Sequence, residues 1–179
     1  ANIDTAELAR ILDRAQPNST RVIIVSKSFT TLETTMNAKA VVAWLKANDC
    51  TKSQIANSLF AVTANVPAAI EFGIEEDNIF PFWDWVGGRY SVWSAVGLPI
   101  ALQYGFKTFE EFLAGAHAMD LHFKNAPLEQ NLPVIMALAL LHQQETLGIK
   151  AYAVIPYADA LDWFPKWLQQ LDMESNGKS

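Results

Sequence analysis

Apolar residues follow two alternating patterns along the first hundred positions. Short runs at 21–25 and 59–63, rich in branched residues, are typical of buried strands in a parallel sheet. Between them, helical spacing over 31–48 predicts a helix, and the apolar side of that helix is formed by Met36, Ala40, Trp44 and Leu45. A short helix over 68–72 and a third, shorter strand over 78–82 follow. This alternation of helices and strands predicts a layered α/β fold.

The later part of the chain is dominated by helical spacing. Apolar residues recur at this spacing from Trp93 to Tyr104 and again over 109–124. The segment 133–147 predicts a second, more buried helix, and 151–156 predicts a last strand. A C-terminal helix is then marked by four apolar residues, Trp163, Trp167, Leu168 and Leu171.

Net charge limits the expected partners of the chain, and cysteine content limits the expected disulfides and location. The net charge of -6 argues against nucleic acid or an anionic membrane as the main partner. Cys50 is the single cysteine, which excludes an internal disulfide framework and favours a cytoplasmic location. We find no apolar segment of membrane-spanning length and no signal peptide.

Hydroxyl side chains are concentrated where the first predicted strand turns into a helix, at 26–34. Ligands of open α/β sheets bind outside the carboxyl ends of the strands. A helix N-terminus also offers unpaired N–H groups and the positive end of its dipole to an anion. The segment therefore predicts a phosphate site. The alternative is purely structural, because Thr30 and Glu33 have the spacing of a capping box.

A Gly-Gly-Arg turn is the second candidate for chemistry. Gly87 and Gly88 permit backbone angles and close approaches that a Cβ would block. Arg89 adds a permanent charge and a rigid fork of donors. The alternative is an ordinary turn with a solvated arginine. We interpret the flanking tryptophans, Trp83, Trp85 and Trp93, as packing residues and not as ligand contacts.

The third candidate lies on the C-terminal helix. Gln170 and Glu174 are four positions apart and therefore share a face of that helix. Glu174 is either a catalytic base or part of an ordinary helix terminus. His117 and Asp120 predict a structural hydrogen bond and not a metal site, because no third ligand accompanies them.

Four segments resemble the sequence signatures of the glucose-6-phosphate isomerase (phosphoglucose isomerase) family. They are SKSFTTLET at 26–34, DWVGGRYSVWSAVG at 84–97, GAHAMDLHF at 115–123 and QLDMESNGK at 170–178. Their order and spacing agree with the family over essentially the whole chain. The resemblance implies a three-layer αβα sandwich of the sugar-isomerase (SIS) type with a parallel sheet, incomplete at its N-terminal edge.

The resemblance also implies a division of the chain. Residues 1–105 would form a partial SIS-type domain that holds the phosphate loop and the Gly-Gly-Arg turn. Residues 106–150 would form a helical segment packed on it. Residues 151–179 would form a strand and the helix that carries Glu174, leading toward a second domain outside this chain.

The activity implied is that of an aldose–ketose isomerase, an intramolecular oxidoreductase of glycolysis and gluconeogenesis. It would interconvert glucose 6-phosphate and fructose 6-phosphate through a cis-enediolate, without a metal or an organic cofactor. Glu174 would be the base that moves the proton, and Arg89 would stabilise the enediolate charge. The implied substrate and phosphate ligands are Ser26, Lys27, Ser28, Thr30, Thr31, Gly88 and Gln170, with Lys27 acting through its backbone. The full-length protein would be a cytoplasmic homodimer.

The chain departs from the family at several points. Leu32 stands where glutamine is usual, and Ser28 where threonine is common. The family's Gly-Gly-Ser loop is expected before Ala1, and its ring-opening histidine and a late lysine are expected after Ser179. We therefore predict that these residues alone do not isomerise sugar phosphate. The alternative function is a non-catalytic SIS module that binds sugar phosphate, which would need the hydroxyl loop but neither catalytic residue.

Overall fold

The sheet of this protein has three parallel strands in the computed structural model, which describes residues 3–177. The strands are β1 (Val22–Val25), β2 (Leu59–Thr63) and β3 (Ile79–Pro81), in the spatial order β1-β2-β3. Ile24 pairs with Ala61, which in turn pairs with Ile79. The strands predicted at 21–25, 59–63 and 78–82 are therefore confirmed. The chain divides into two compact units between Leu98 and Pro99, and the sheet belongs to the first.

Four α-helices accompany the strands in the first unit. They are α1 (Thr5–Leu12), α2 (Leu32–Ala47), α3 (Lys52–Ser58) and α4 (Val66–Phe72), so the helices predicted at 31–48 and 68–72 are confirmed. The predicted inner face of α2 is partly wrong. Ala38, Val41 and Leu45 are buried, whereas Met36 is exposed. Apolar residues cover a broad stripe of α2, and their pattern does not show which edge of the stripe meets the sheet.

Both faces of the sheet are covered. Ile24 and Ala61 lie in a core with Ala38 of α2 and Ala69 of α4. Val62 lies in a second core, and the residues packed there are Phe82, Val86, Ile23, Val25, Ala95, Val96 and Leu98. Because neighbouring strand residues point to opposite faces, these two cores lie on opposite sides of the sheet. The expected layered α/β fold with a parallel sheet is confirmed.

The segment after the Gly-Gly-Arg turn is not one helix. Gly88–Trp93 and Ala95–Gly97 are 3-10 helices, and only Leu98–Tyr104 is α-helical (α5). Ser94 interrupts the segment with an extended backbone, and its hydroxyl donates to Ser91 O at 2.6 Å and accepts from Val96 N at 3.3 Å. The prediction of a continuous helix from Trp93 is therefore wrong, because a local side-chain-to-backbone turn competes with the helix.

The second unit is helical. It contains α5 except for Leu98, and then α6 (Phe106–Asn125), α7 (Leu132–Leu141) and α8 (Phe164–Leu168). The π-helical turns at His142–Thr146 and Gln169–Glu174 follow α7 and α8. The predicted helices are confirmed, but the greater burial of 133–147 is not, since Met136 is 65% exposed. This segment is apolar on all its faces, and such a helix is buried only where other elements pack on every side of it. No helix within residues 3–177 has the length and apolarity needed to cross a membrane.

The predicted strand over 151–156 is wrong. These residues form no regular secondary structure, and Val154 and Ile155 are exposed. Their branched side chains have strand propensity, but a strand also needs a hydrogen-bonding partner, and the sheet lies in the first unit. The predicted domain limits at 105 and 150 stay predictions.

Candidate active site

The loops that follow the three strands line one pocket of about 520 Å³. The carboxyl ends of parallel strands meet at the same edge of a sheet, which is where ligands bind in α/β folds. The lining residues are Lys27, Ser28 and Thr31 after β1, Ala64 and Asn65 after β2, and Asp84 after β3. The volume lies in the range of small-molecule sites. Three of the predicted phosphate ligands are thus brought together.

Phe29 gives the loop after β1 its shape. It has a φ of 58°, in the left-handed region that costs a non-glycine residue about 1 kcal/mol or more. The ring is buried and meets the ring of Phe72 edge-on, with 5.7 Å between centroids. The Phe29 N–H donates to Ser26 Oγ at 3.2 Å. Burial of the ring and this hydrogen bond hold the strained turn in place.

Ser26 supports the loop from inside. Ser26 Oγ and Thr31 Oγ1 lie 3.2 Å apart, and Ser26 is only 7% exposed. A buried hydroxyl hydrogen without an acceptor is costly, so we assign the donor role to Ser26. This assignment leaves the Thr31 hydroxyl hydrogen for a ligand in the pocket that Thr31 lines.

Thr30 supports Ser28 in a similar way. Ser28 Oγ accepts from Thr30 Oγ1 at 2.7 Å and from Thr30 N at 3.3 Å. Because Ser28 Oγ is the acceptor in both bonds, its own hydrogen is left for a ligand. Ser28 lines the pocket, whereas Ser26 and Thr30 are not among its lining residues in the described part of the chain.

The capping alternative for this loop is not what the structure shows. Helix α2 begins after Thr31, and no side chain within residues 3–177 caps it there. The hydroxyl of Thr30 is bonded to Ser28 and does not form the predicted capping box with Glu33. The first turn of α2 therefore offers an anion its N–H groups and the positive end of the helix dipole.

Lys27 connects the loop after β1 with the loop after β3. Its Nζ donates to the carbonyl oxygen of Asp84 at 2.6 Å. A Cβ on Gly87 would lie 3.3 Å from Nζ, so the absence of a side chain at Gly87 gives the lysine room. The Lys27 carbonyl oxygen also accepts from Ala64 N at 3.1 Å. The Lys27 side chain thus has a structural role, and the backbone contact with substrate expected for Lys27 stays a prediction.

Arg89 lies just after this connection, in the 3-10 helix Gly88–Trp93. Gly88 has a φ of 56°, which favours glycine, and its carbonyl oxygen accepts from Ser91 Oγ at 2.8 Å. The Arg89 guanidinium lies 5.1 Å from the centroid of the Tyr90 ring. Arg89 is exposed and forms no ion pair with any carboxylate in the described part of the chain.

The packing role expected for the tryptophans is wrong for two of them. Trp83 is 66% exposed and Trp85 is 79% exposed, and their rings stack with 5.3 Å between centroids. The neighbouring Phe82 and Val86 are buried in their place. The two tryptophans therefore face away from the core that holds Phe82 and Val86.

The second unit carries the other two predicted residues. Gln170 and Glu174 are exposed and lie in the π-helical turn Gln169–Glu174. Ser175 Oγ lies 3.1 Å from Gln170 O and 3.2 Å from Glu174 Oε2. Turns of π-helix occur often at functional sites. The expected helix is thus present, with its last part wound more widely than an α-helix.

Comparison with known proteins identifies the family. The family model for phosphoglucose isomerase matches residues 1–179, the whole of the chain. The chain belongs to the phosphoglucose isomerase family. It is 51% identical over 179 residues to the glucose-6-phosphate isomerase of Burkholderia pseudomallei strain 1106a, and 50% identical to that of Burkholderia ambifaria strain MC40-6. It spans 33% of the length of each of these two relatives.

Solved structures support the same membership. A glucose-6-phosphate isomerase from Chlamydia trachomatis matches 99% of this chain with a TM-score of 0.87 and 35% sequence identity, and the chain covers 34% of that structure. A hypothetical protein from Thermus thermophilus matches 99% of the chain with a TM-score of 0.78 and 32% identity, and 41% of that structure is covered. The α/β fold is therefore that of phosphoglucose isomerases.

Sequence reasoning missed the residues that line this pocket after β2 and β3. They are Ala64, Asn65 and Asp84. Gly87, which lies against Lys27, belongs to the Gly-Gly-Arg turn that the sequence indicates. A signal was present, because three strands were predicted and the carboxyl ends of parallel strands share one edge.

Lys27→Met is expected to lower the thermal unfolding midpoint of the 179-residue chain by about 2–4 °C. The reason is the loss of one charge-assisted hydrogen bond at an exposed site, which contributes about 1 kcal/mol. Circular dichroism during heating measures the change. Lys39→Met, which removes the same charge from an exposed position of α2, is the control. Equal midpoints for the two variants would contradict a stabilising role for the Lys27–Asp84 connection.

Proposed function

We propose that this chain forms part of a glucose-6-phosphate isomerase, and that its pocket binds the phosphate group of glucose 6-phosphate or fructose 6-phosphate. The observation that carries this proposal is the set of donors at the carboxyl end of β1. The Ser28 and Thr31 hydroxyls line the pocket beside the uncapped start of α2. Neutral donors and a helix N-terminus suit a phosphate dianion even on an acidic protein.

Each predicted phosphate ligand has a distinct part in this proposal. Ser28 and Thr31 donate to phosphate oxygens, while Ser26 and Thr30 hold those two hydroxyls in position. Leu32 is the first residue of α2 and is 62% exposed. Its contribution is its backbone N–H, so the departure from glutamine leaves the donor set of the helix terminus intact.

The proposed reaction moves a proton between two adjacent carbons of the substrate. Glu174 takes the proton from the carbon beside the carbonyl, which produces an enediolate, and returns it to the neighbouring carbon. Arg89 stabilises the negative charge that develops on the enediolate oxygen, because a fixed cation at that point favours the transition state over the ground state. Gly88 lets the backbone approach the sugar, and Gln170 contacts the phosphate end of the substrate. As the carbon-bound proton moves, the hydroxyl proton of the enediolate passes from one oxygen to the other, so the redox change is internal and the protons balance within the substrate and Glu174.

The setting of the proposed enzyme follows from the family. We propose a cytoplasmic homodimer that acts in glycolysis and gluconeogenesis. Support comes from the relatives, which are named glucose-6-phosphate isomerases, and from the single cysteine of the chain.

A chimera tests the proposed activity. In it, these 179 residues replace the matched segment of the Burkholderia pseudomallei enzyme. We expect the chimera to convert fructose 6-phosphate to glucose 6-phosphate, which is measured by coupled oxidation of the glucose 6-phosphate formed. The 179-residue chain alone is expected to show no turnover. A folded chimera that binds sugar phosphate but does not isomerise it would contradict the proposal and favour the non-catalytic binding module.

A further inference from the structure

The side chain of Asn65 forms hydrogen bonds to two different elements. Its Nδ2 donates to the carbonyl oxygen of Ser28 at 3.0 Å, across the pocket edge from β2 to the loop after β1. Its Oδ1 accepts from Ala68 N at 3.2 Å and thereby caps α4. Asn65 itself lines the pocket. One planar amide thus joins the hydroxyl loop to the start of α4.

The residues just before Asn65 hold the same loop. Thr63 is fully buried, and its Oγ1 donates to the Lys27 carbonyl oxygen at 3.1 Å and accepts from Asn65 N at 3.0 Å. Ala64 N donates to the same carbonyl oxygen at 3.1 Å. Residues 63–65 therefore engage the carbonyl oxygens of Lys27 and Ser28, whose partial negative charges would otherwise oppose an anion nearby.

We propose that Asn65 is a positioning residue for phosphate binding, which acts by fixing the backbone of Ser28. This inference rests on the phosphate site of the proposed function. The two contacts suit a neutral amide, because a short amide side chain carries a donor and an acceptor on one rigid group. Aspartate would keep the cap of α4, but it would lose the donor to Ser28 and place a negative charge in the pocket lining.

Two substitutions separate the two roles of Asn65. Serine caps helices about as well as asparagine, but its hydroxyl is too short to reach Ser28 O. Asn65→Ser should therefore lower the thermal unfolding midpoint of the 179-residue chain by only about 2–4 °C, the effect of one hydrogen bond, and loosen the loop. Asn65→Ala removes both contacts and is expected to lower the midpoint roughly twice as far. Asn78→Ser is the matched control, since Asn78 is also half-buried and donates to one backbone carbonyl, that of Ala56.

Amide hydrogen exchange and phosphate affinity are the two measurements. In Asn65→Ser, we expect the Phe29 and Thr30 amides to exchange roughly fivefold faster than in the unsubstituted chain, with the Ala61 amide as the internal reference. A fivefold change corresponds to the loss of about one neutral hydrogen bond. By the same reasoning, the affinity of Asn65→Ser for inorganic phosphate and for fructose 6-phosphate should fall by about fivefold. Nuclear magnetic resonance titration measures both affinities. Fructose without phosphate is the negative control.

The outcomes distinguish this inference from the proposed function. Unchanged loop exchange in Asn65→Ser, or faster exchange with unchanged phosphate affinity, would overturn the positioning role. Failure of the unsubstituted chain to bind either phosphate compound would overturn the phosphate site itself, and the exchange rates would still decide whether Asn65 holds the loop. Equal effects of Asn78→Ser on the loop would also overturn the inference.

Discussion

Glu174→Gln is expected to lower kcat of the chimera by about 10²–10⁴-fold, the usual contribution of a positioned acid or base. Glutamine keeps the size of the side chain and can still hydrogen bond to Ser175, whose Oγ lies 3.2 Å from Glu174 Oε2. It cannot take up the proton that isomerisation must move. The KM for fructose 6-phosphate should change little, because Glu174 is not one of the proposed phosphate ligands. A coupled assay of initial rates measures both constants.

The control for this prediction is Glu145→Gln. Glu145 is an exposed carboxylate in the other π-helical turn of the second unit, His142–Thr146, so the chemical change and the local backbone are comparable. It should leave kcat unchanged. A chimera with Glu174→Gln that turns over at the rate of the unsubstituted chimera would refute the assignment of the base. A loss of sugar-phosphate binding with the loss of turnover would instead indicate a binding role for Glu174.

The strands β1 and β2 of the first unit were predictable from local pattern. The runs that form them are short, apolar and rich in branched residues, and in the sheet β2 is largely buried and β1 is half-buried apart from the buried Ile24. The strand predicted over 151–156 has a similar pattern but no hydrogen-bonding partner in the sheet. Strand formation depends on pairing with residues far along the chain, and periodicity carries no information about that pairing.

The sequence predicted that the loop at 26–34 contributes to the candidate site, but it did not predict how the hydroxyls of that loop are arranged. The five hydroxyls at 26–34 marked the site, yet their division into lining and supporting groups depends on the left-handed backbone of Phe29. Nothing in the identity of a phenylalanine predicts that conformation, because it is held by a hydrogen bond to the Ser26 side chain and by a tertiary contact with Phe72. The part played by Asn65 likewise depends on strand order, which places the end of β2 beside the end of β1.

Arg89→Met is expected to lower kcat of the chimera by about 10²–10³-fold, comparable with the loss of one preorganised donor to a developing oxyanion. Arg89 forms no ion pair among residues 3–177, so its charge is not neutralised by a carboxylate there. The turn that carries it is restrained by the left-handed Gly88 and by the bond from Ser91 Oγ to Gly88 O. Arg89→Lys keeps the charge but loses the fork of donors, and it should recover part of the rate. Initial rates over a range of fructose 6-phosphate concentrations give kcat and KM for each variant.

The separate changes in kcat and KM decide what Arg89 does. A cation that acts on the enediolate affects the transition state more than the bound substrate, so kcat falls while KM stays within a small factor. A cation that holds the phosphate group contributes equally to both states, and its removal would raise KM at constant kcat. The second pattern would overturn the proposed role. Arg14→Met, at an exposed position just after α1, should change neither constant and controls for the loss of one positive charge.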